Sequence, residues 1–133
     1  MVLTRQRRPA SAALALLAGL GLGGCTDTTQ SSASPAERRE VVKSMETDAK
    51  RIATVHEALF LADPAAVASP VTLEPEASVI RGGERFETAP GNTVTVIPTG
   101  ADFCVTVSNS LVPEAVYYDT RQGFVETPPT DCI

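Results

Sequence analysis

At 133 residues, with three cysteines, a single histidine and a net charge of −5, the chain has room for one domain at most, and its acidity makes nucleic acid and anionic lipid headgroups poor partners. The charge is unevenly spread: Arg5, Arg7 and Arg8 are the only charged residues before position 25, so residues 25–133 carry 8 Lys and Arg against 16 Asp and Glu, a net −8. With His56 the only histidine, a zinc site is short of ligands, and no metal or other cofactor is expected.

Met1 to Pro9 is a basic segment, and Ala10 to Gly24 is a run of apolar and small residues. At about 15 residues this run falls short of the roughly 20 that a spanning helix needs. It ends Leu22-Gly23-Gly24-Cys25, which resembles the bacterial lipobox: an apolar residue, two small residues, then an obligatory cysteine. The resemblance implies that residues 1–24 are a lipoprotein signal peptide. Cys25 then becomes the mature N-terminus, carries a fatty-acylated (palmitate-type) lipid, and anchors the chain on the extracytoplasmic face of a bacterial cell membrane. The plainer alternative is an ordinary secretory signal with a chance cysteine. Gly19, Gly21 and Gly24 have the spacing of a dinucleotide loop but lack its flanking strand and helix, so that reading is discarded.

Residues 25–34 read as a lipidated flexible tether, polar and without apolar periodicity. Ser34, Pro35 and Glu37 then supply an N-cap, a first-turn proline and a capping-box carboxylate, and Asp63-Pro64 stops the helix they start. Val42, Met45, Ala49, Ile52, His56 and Leu59 form its apolar stripe, widened by Val41, Val55 and Phe60, while charged residues including Asp48 mostly occupy the rest. Beyond Pro64 the period changes to two. Strands are predicted at Ser78–Arg81 and Glu84–Thr88 around a Gly82-Gly83 turn, at Thr93–Ile97 and Phe103–Ser108 around Thr99-Gly100-Ala101, at Val116–Asp119 and at Gly123–Glu126. The expected fold for residues 35–133 is α+β, one long amphipathic helix packed on an antiparallel sheet of about four strands. In a small exported domain, Cys104 and Cys132 are expected to pair as a disulfide.

The order of motifs from about Lys43 onward resembles the globular head of a type IV pilin or a type II secretion pseudopilin. The residues that carry it are the helix ending Val55-His56-Glu57-Ala58-Leu59-Phe60-Leu61-Ala62-Asp63, the segment Pro90-Gly91-Asn92-Thr93-Val94-Thr95-Val96, the strand Asp102-Phe103-Cys104-Val105-Thr106, and Tyr117-Tyr118-Asp119-Thr120 followed by Gly123-Phe124. The resemblance implies that Cys132 closes the C-terminal loop onto Cys104. The long apolar N-terminal helix that a pilin keeps after processing, with its glutamate, has no counterpart here, so what is implied is a pilin-like head on a lipid anchor.

Nothing in the sequence reads as a catalytic centre. His56 falls on the apolar stripe, no nucleophile elbow or phosphate loop is present, and Glu74 with Glu76 and Glu84 with Glu87 lie in polar turn-rich segments. Tyr117 and Tyr118 supply the candidate contact surface: they point to opposite faces of a predicted strand, so one is expected in the core and the other exposed as the contact residue. The expectation is a noncatalytic envelope binding or accessory protein that meets a protein or glycan. The alternative is a small exported enzyme or inhibitor with no recognisable motif. A deep pocket holding several carboxylates or His56 would favour the enzyme, and a flat sheet with exposed loops would favour the binder.

Overall fold

A computed structural model describes residues 33–81 and 84–133. Helix α1, Pro35–Ala62, begins as its sequence dictates: the Ser34 hydroxyl accepts from the Glu37 N–H, and the Glu37 carboxylate accepts from the Ser34 N–H at 2.7 Å. It ends where Asp63 turns extended, its N–H reaching the Leu59 carbonyl and its side chain accepting from the Ala65 N–H to cap a short 3₁₀ turn, Pro64–Val67. Met45, Ala49, Ile52, Ala53, His56 and Leu59 are buried, while Val42 is only half-buried. Asp48 departs from expectation: it is 2 % exposed rather than on the solvent face.

Seven strands follow among the described residues: β1 Val71–Leu73, β2 Ser78–Arg81, β3 Glu84–Glu87, β4 Asn92–Thr99, β5 Asp102–Asn109, β6 Val116–Asp119 and β7 Gly123–Val125. Five form one antiparallel sheet in the order β1-β4-β5-β6-β7, and β2 and β3 form a separate two-stranded ladder. The expected α+β class and helix-on-sheet packing hold, but the sheet has five strands rather than about four. The extra strand, β1, is three residues long, too short to display a period of two. The β2–β3 hairpin, expected as part of the sheet, forms its own ladder and contributes Phe86 to the core. The predicted Gly82-Gly83 turn lies outside the described residues.

The core lies between α1 and one face of the sheet. Val94 and Val96 of β4 and Phe103, Val105 and Val107 of β5 meet Met45, Ala49, Ile52 and Ala53 of the helix, with Leu73, Phe86 and Val112 at the edges. Each large side chain buried this way contributes about 1.5–3 kcal/mol. Cys104, on the opposite face of β5, is buried as well, because it is tied to Cys132 in the C-terminal tail.

A polar network crosses this core. Asp48 Oδ2 accepts from the Ala89 N–H at 2.8 Å and from the Asn92 amide at 2.9 Å, so one helix carboxyl group holds the β3–β4 turn. The Asn92 amide also donates to Ser44 Oγ, and Asn92 Oδ1 accepts from Asn109 Nδ2 at 2.8 Å. Asn109 lies directly opposite Asn92 in the β4–β5 ladder, donates again to the Pro90 carbonyl, and accepts from the Leu111 N–H. Gly91 makes the turn possible: its φ is +76°, and a Cβ there would lie 2.9 Å from Asn109 Nδ2. Gly100 shares the positive φ, at +83°, but a Cβ there would meet nothing within 4 Å. Gly100→Ala should therefore cost only backbone strain, about 1 kcal/mol, and Gly91→Ala about 2–3 kcal/mol because the network must also shift. Urea unfolding of the two variants measures the difference; equal losses would show that Asn109 yields freely.

Candidate functional site

The lipobox positions Leu22, Gly23, Gly24 and Cys25 lie outside the described residues, as does the tether up to residue 32. The two other cysteines are described. Cys104 of β5 and Cys132, in a 3₁₀ turn at Thr130–Cys132, are joined as a disulfide with their Cα atoms 5.8 Å apart. This places the C-terminal tail on the sheet face opposite the helix.

Asp119 of β6 pairs directly across from Cys104 and is 1 % exposed. Its Oδ1 accepts from the Arg121 backbone N–H at 2.7 Å and from Arg121 Nε, and its Oδ2 accepts from Arg121 Nη2 at 3.0 Å. This fork of donors holds the Asp119 carboxyl below its ordinary value of 3.8 against the opposing effect of burial. Arg121 also approaches Asp131, beside Cys132, at 3.8 Å, so one guanidinium links the β6–β7 turn to the tail. The donor atoms of Cys104, Asp119 and Cys132 all lie within 4.8 Å of one another, the one such grouping among the described residues. With the two sulfurs bonded to each other and the carboxylate held by a guanidinium, these groups do not fit a cation site.

The outer sheet face carries a register row through all five strands: Thr72, Thr95, Thr106, Tyr117 and Val125. The Thr72 and Thr95 hydroxyls are 3.2 Å apart and hydrogen-bonded. Tyr117 is half-buried in this row, next to Thr106. Tyr118 lies opposite Val105 on the helix side, packs against the core, and meets the Phe124 ring edge-on at 5.1 Å. As the alternation predicts, the two tyrosines face opposite ways, Tyr118 toward the core and Tyr117 on the outer face.

A second feature sits at the far end of α1. A cleft of about 290 Å³ is lined by His56, Phe60, Pro64, Val67, Pro98 and Phe103, with Gly100 and Asp102 also at its wall. His56 is buried, its ring 5.5 Å from that of Phe103. Sequence periodicity placed His56 on the buried stripe but gave no sign of a cleft, whose walls come from the helix end, the 3₁₀ turn after it and the β4–β5 turn. The lining holds a potential base but no Ser, Thr, Cys or Lys that it could activate.

No family model, curated protein or solved structure was found to match the chain.

Two outcomes follow from the disulfide node. Closing a loop across a sequence separation of 28 is worth about 3–4 kcal/mol, so reduction should lower the melting temperature by more than about 10 °C, and Cys104→Ser/Cys132→Ser should match the reduced protein. A depressed folded-state value means that the Asp119–Arg121 pairing contributes fully above the ordinary carboxyl value of 3.8 and is lost as pH falls through the lower folded value. Asp119→Asn should therefore be less stable than the parent at neutral pH, and the gap should close in acid below about pH 4. Thermal melts across that range measure it; a gap independent of pH would contradict the assignment.

Proposed function

We propose that the chain is a lipid-anchored, noncatalytic binding or accessory protein of the bacterial cell envelope, with a pilin-like head. The anchor rests on the ordered combination of basic segment, short apolar run and Leu22-Gly23-Gly24-Cys25. The pilin-like description draws support from the shared order of helix, antiparallel strands and a terminal loop tied back by Cys104–Cys132. The observation that carries the binding reading is the outer sheet face, where Tyr117 stands in a row of threonines whose hydroxyls can meet a protein backbone or a glycan. The His56 cleft favours the second reading, a small exported enzyme or inhibitor.

Cys25→Ser should abolish fatty-acid labelling and leave unprocessed precursor in the membrane fraction; a mature N-terminus anywhere but Cys25 would defeat the anchor. The two readings of the head separate by substitution. Tyr117→Ala should abolish capture of envelope material while leaving the melting temperature within a few degrees of the parent's, since a half-exposed side chain on a sheet face contributes little to the core. Capture that survives Tyr117→Ala but is lost in Phe60→Ala, at the cleft, would favour the second reading.

A further inference from the structure

We infer that the His56 cleft holds the apolar body of a small organic cation, an amine or quaternary ammonium carrying an aromatic or aliphatic group. The inference concerns the far end of α1 and stands apart from the role proposed for the Tyr117 face. At about 290 Å³ the cleft lies at the lower end of the range for ligand pockets, about 300–1,000 Å³. Its inner wall is fixed by the core, since His56, Val67 and Phe103 are 2 %, 6 % and 5 % exposed. Pro64 and Ala68 are exposed and mark its mouth. Pro64 and Pro98 each lock a backbone angle in the surrounding turns, so the walls are formed before any ligand arrives.

Charge selects the occupant. The cleft is built from residues 52–68 and 96–104, and these two segments carry Glu57, Asp63 and Asp102 but no Lys or Arg. The nearest bases along the helix are turned elsewhere: the Arg51 guanidinium lies over the Phe86 ring and the Lys50 ammonium over the Phe124 ring. Arg121 approaches Asp102, with Nε 4.0 Å from the carboxylate, but it is divided among Asp102, Asp119 and Asp131, three carboxylates to one guanidinium. The surroundings of the cleft are therefore acidic. A concave site of one sign between apolar walls draws in ions of the other sign and repels anions. A bare inorganic cation would lose its hydration against those walls with little in return. A cation with an apolar body satisfies both the lining and the field. Phe60 and Phe103 add two phenyl rings, whose electron-rich faces attract ammonium groups.

His56 is the only histidine in the chain, so its ring signals in a nuclear magnetic resonance spectrum report on the cleft. The protein, labelled at histidine and purified from membranes in a non-ionic detergent, is titrated at fixed neutral pH with benzylamine, benzyl alcohol and benzoate. These probes share one shape and are cationic, neutral and anionic. In about 50 mM salt the His56 signals should shift saturably with benzylamine at a concentration roughly fivefold lower than benzyl alcohol requires, and should not respond to benzoate. Raising the salt to about 0.5 M should bring the amine close to the alcohol. Ala68→Phe sets a ring at the mouth from an exposed position; it should keep the melting temperature within a few degrees of the parent's and abolish the benzylamine shift. Benzyl alcohol binding as tightly as benzylamine overturns the cationic ligand. The absence of a saturable shift with any of the probes overturns the site, and so does a benzylamine shift that persists in Ala68→Phe.

Discussion

Asp48 and Asn92 meet inside the core, and the position of the helix on the sheet depends on that contact. The Asp48 carboxyl group accepts one hydrogen bond from the backbone of the β3–β4 turn and one from the Asn92 side chain, 44 residues away in sequence. Apolar packing alone is tolerant of small slides along a helix, since dispersion and burial carry little direction. A buried acceptor with fixed donors is not tolerant. Any shift of α1 along β4 would strip the fully buried Asn92 amide of its Asp48 partner, at a cost of about 1–3 kcal/mol, and would break the bond from the half-buried Ala89 N–H as well. The chain of contacts continues through Asn109 to the Leu111 N–H, so the same network fixes the strand pairing of β4 with β5 and the turn that leaves β5.

The two faces of the sheet are secured by different chemistry. On the helix side, burial supplies the bulk of the stabilisation and the Asp48 network supplies direction. On the outer side a covalent bond and an ion pair hold the C-terminal tail, through Cys104–Cys132 and through Arg121 between Asp119 and Asp131. The network sits at the open end of the β4–β5 hairpin, where Asn92 faces Asn109, and the disulfide lies toward its turn, where Cys104 faces Ile97. This leaves the middle of the outer face, with Thr95, Thr106 and Tyr117, rigidly backed yet uncovered by another layer of secondary structure among the described residues. A rigid, hydroxyl-bearing face costs little ordering entropy on binding, which is what the proposed binding role requires.

Much of the fold was legible because local signals agreed with tertiary ones. The ends of α1 were written in Ser34, Glu37 and Asp63-Pro64, and β4 and β5 in the alternation of Thr with Val and of Phe103, Val105 and Val107 with their neighbours. What was not legible depended on contacts between distant segments. Asp48 looked like one more solvated charge because its partners, Ala89 and Asn92, lie across the core. Strand β1 is defined by pairing with β4 and not by a pattern of its own. The His56 cleft arises where a hairpin turn closes over a helix end, and the stripe could show only that His56 faces inward. The alternation rule did place Tyr117 and Tyr118 on opposite faces, and the pairing with β5 decides which of the two faces the core.

The coupling between helix and sheet through the polar network is most directly measured by a double-mutant cycle on Asp48→Ala and Asn92→Ala, with unfolding free energies taken from urea titration. Residues joined inside one buried network should show an interaction energy of about 1–3 kcal/mol, the double variant losing much less than the sum of the single losses. Additivity within about 0.3–0.5 kcal/mol would mean that the two side chains are energetically independent, and that something other than this contact sets the helix on the sheet.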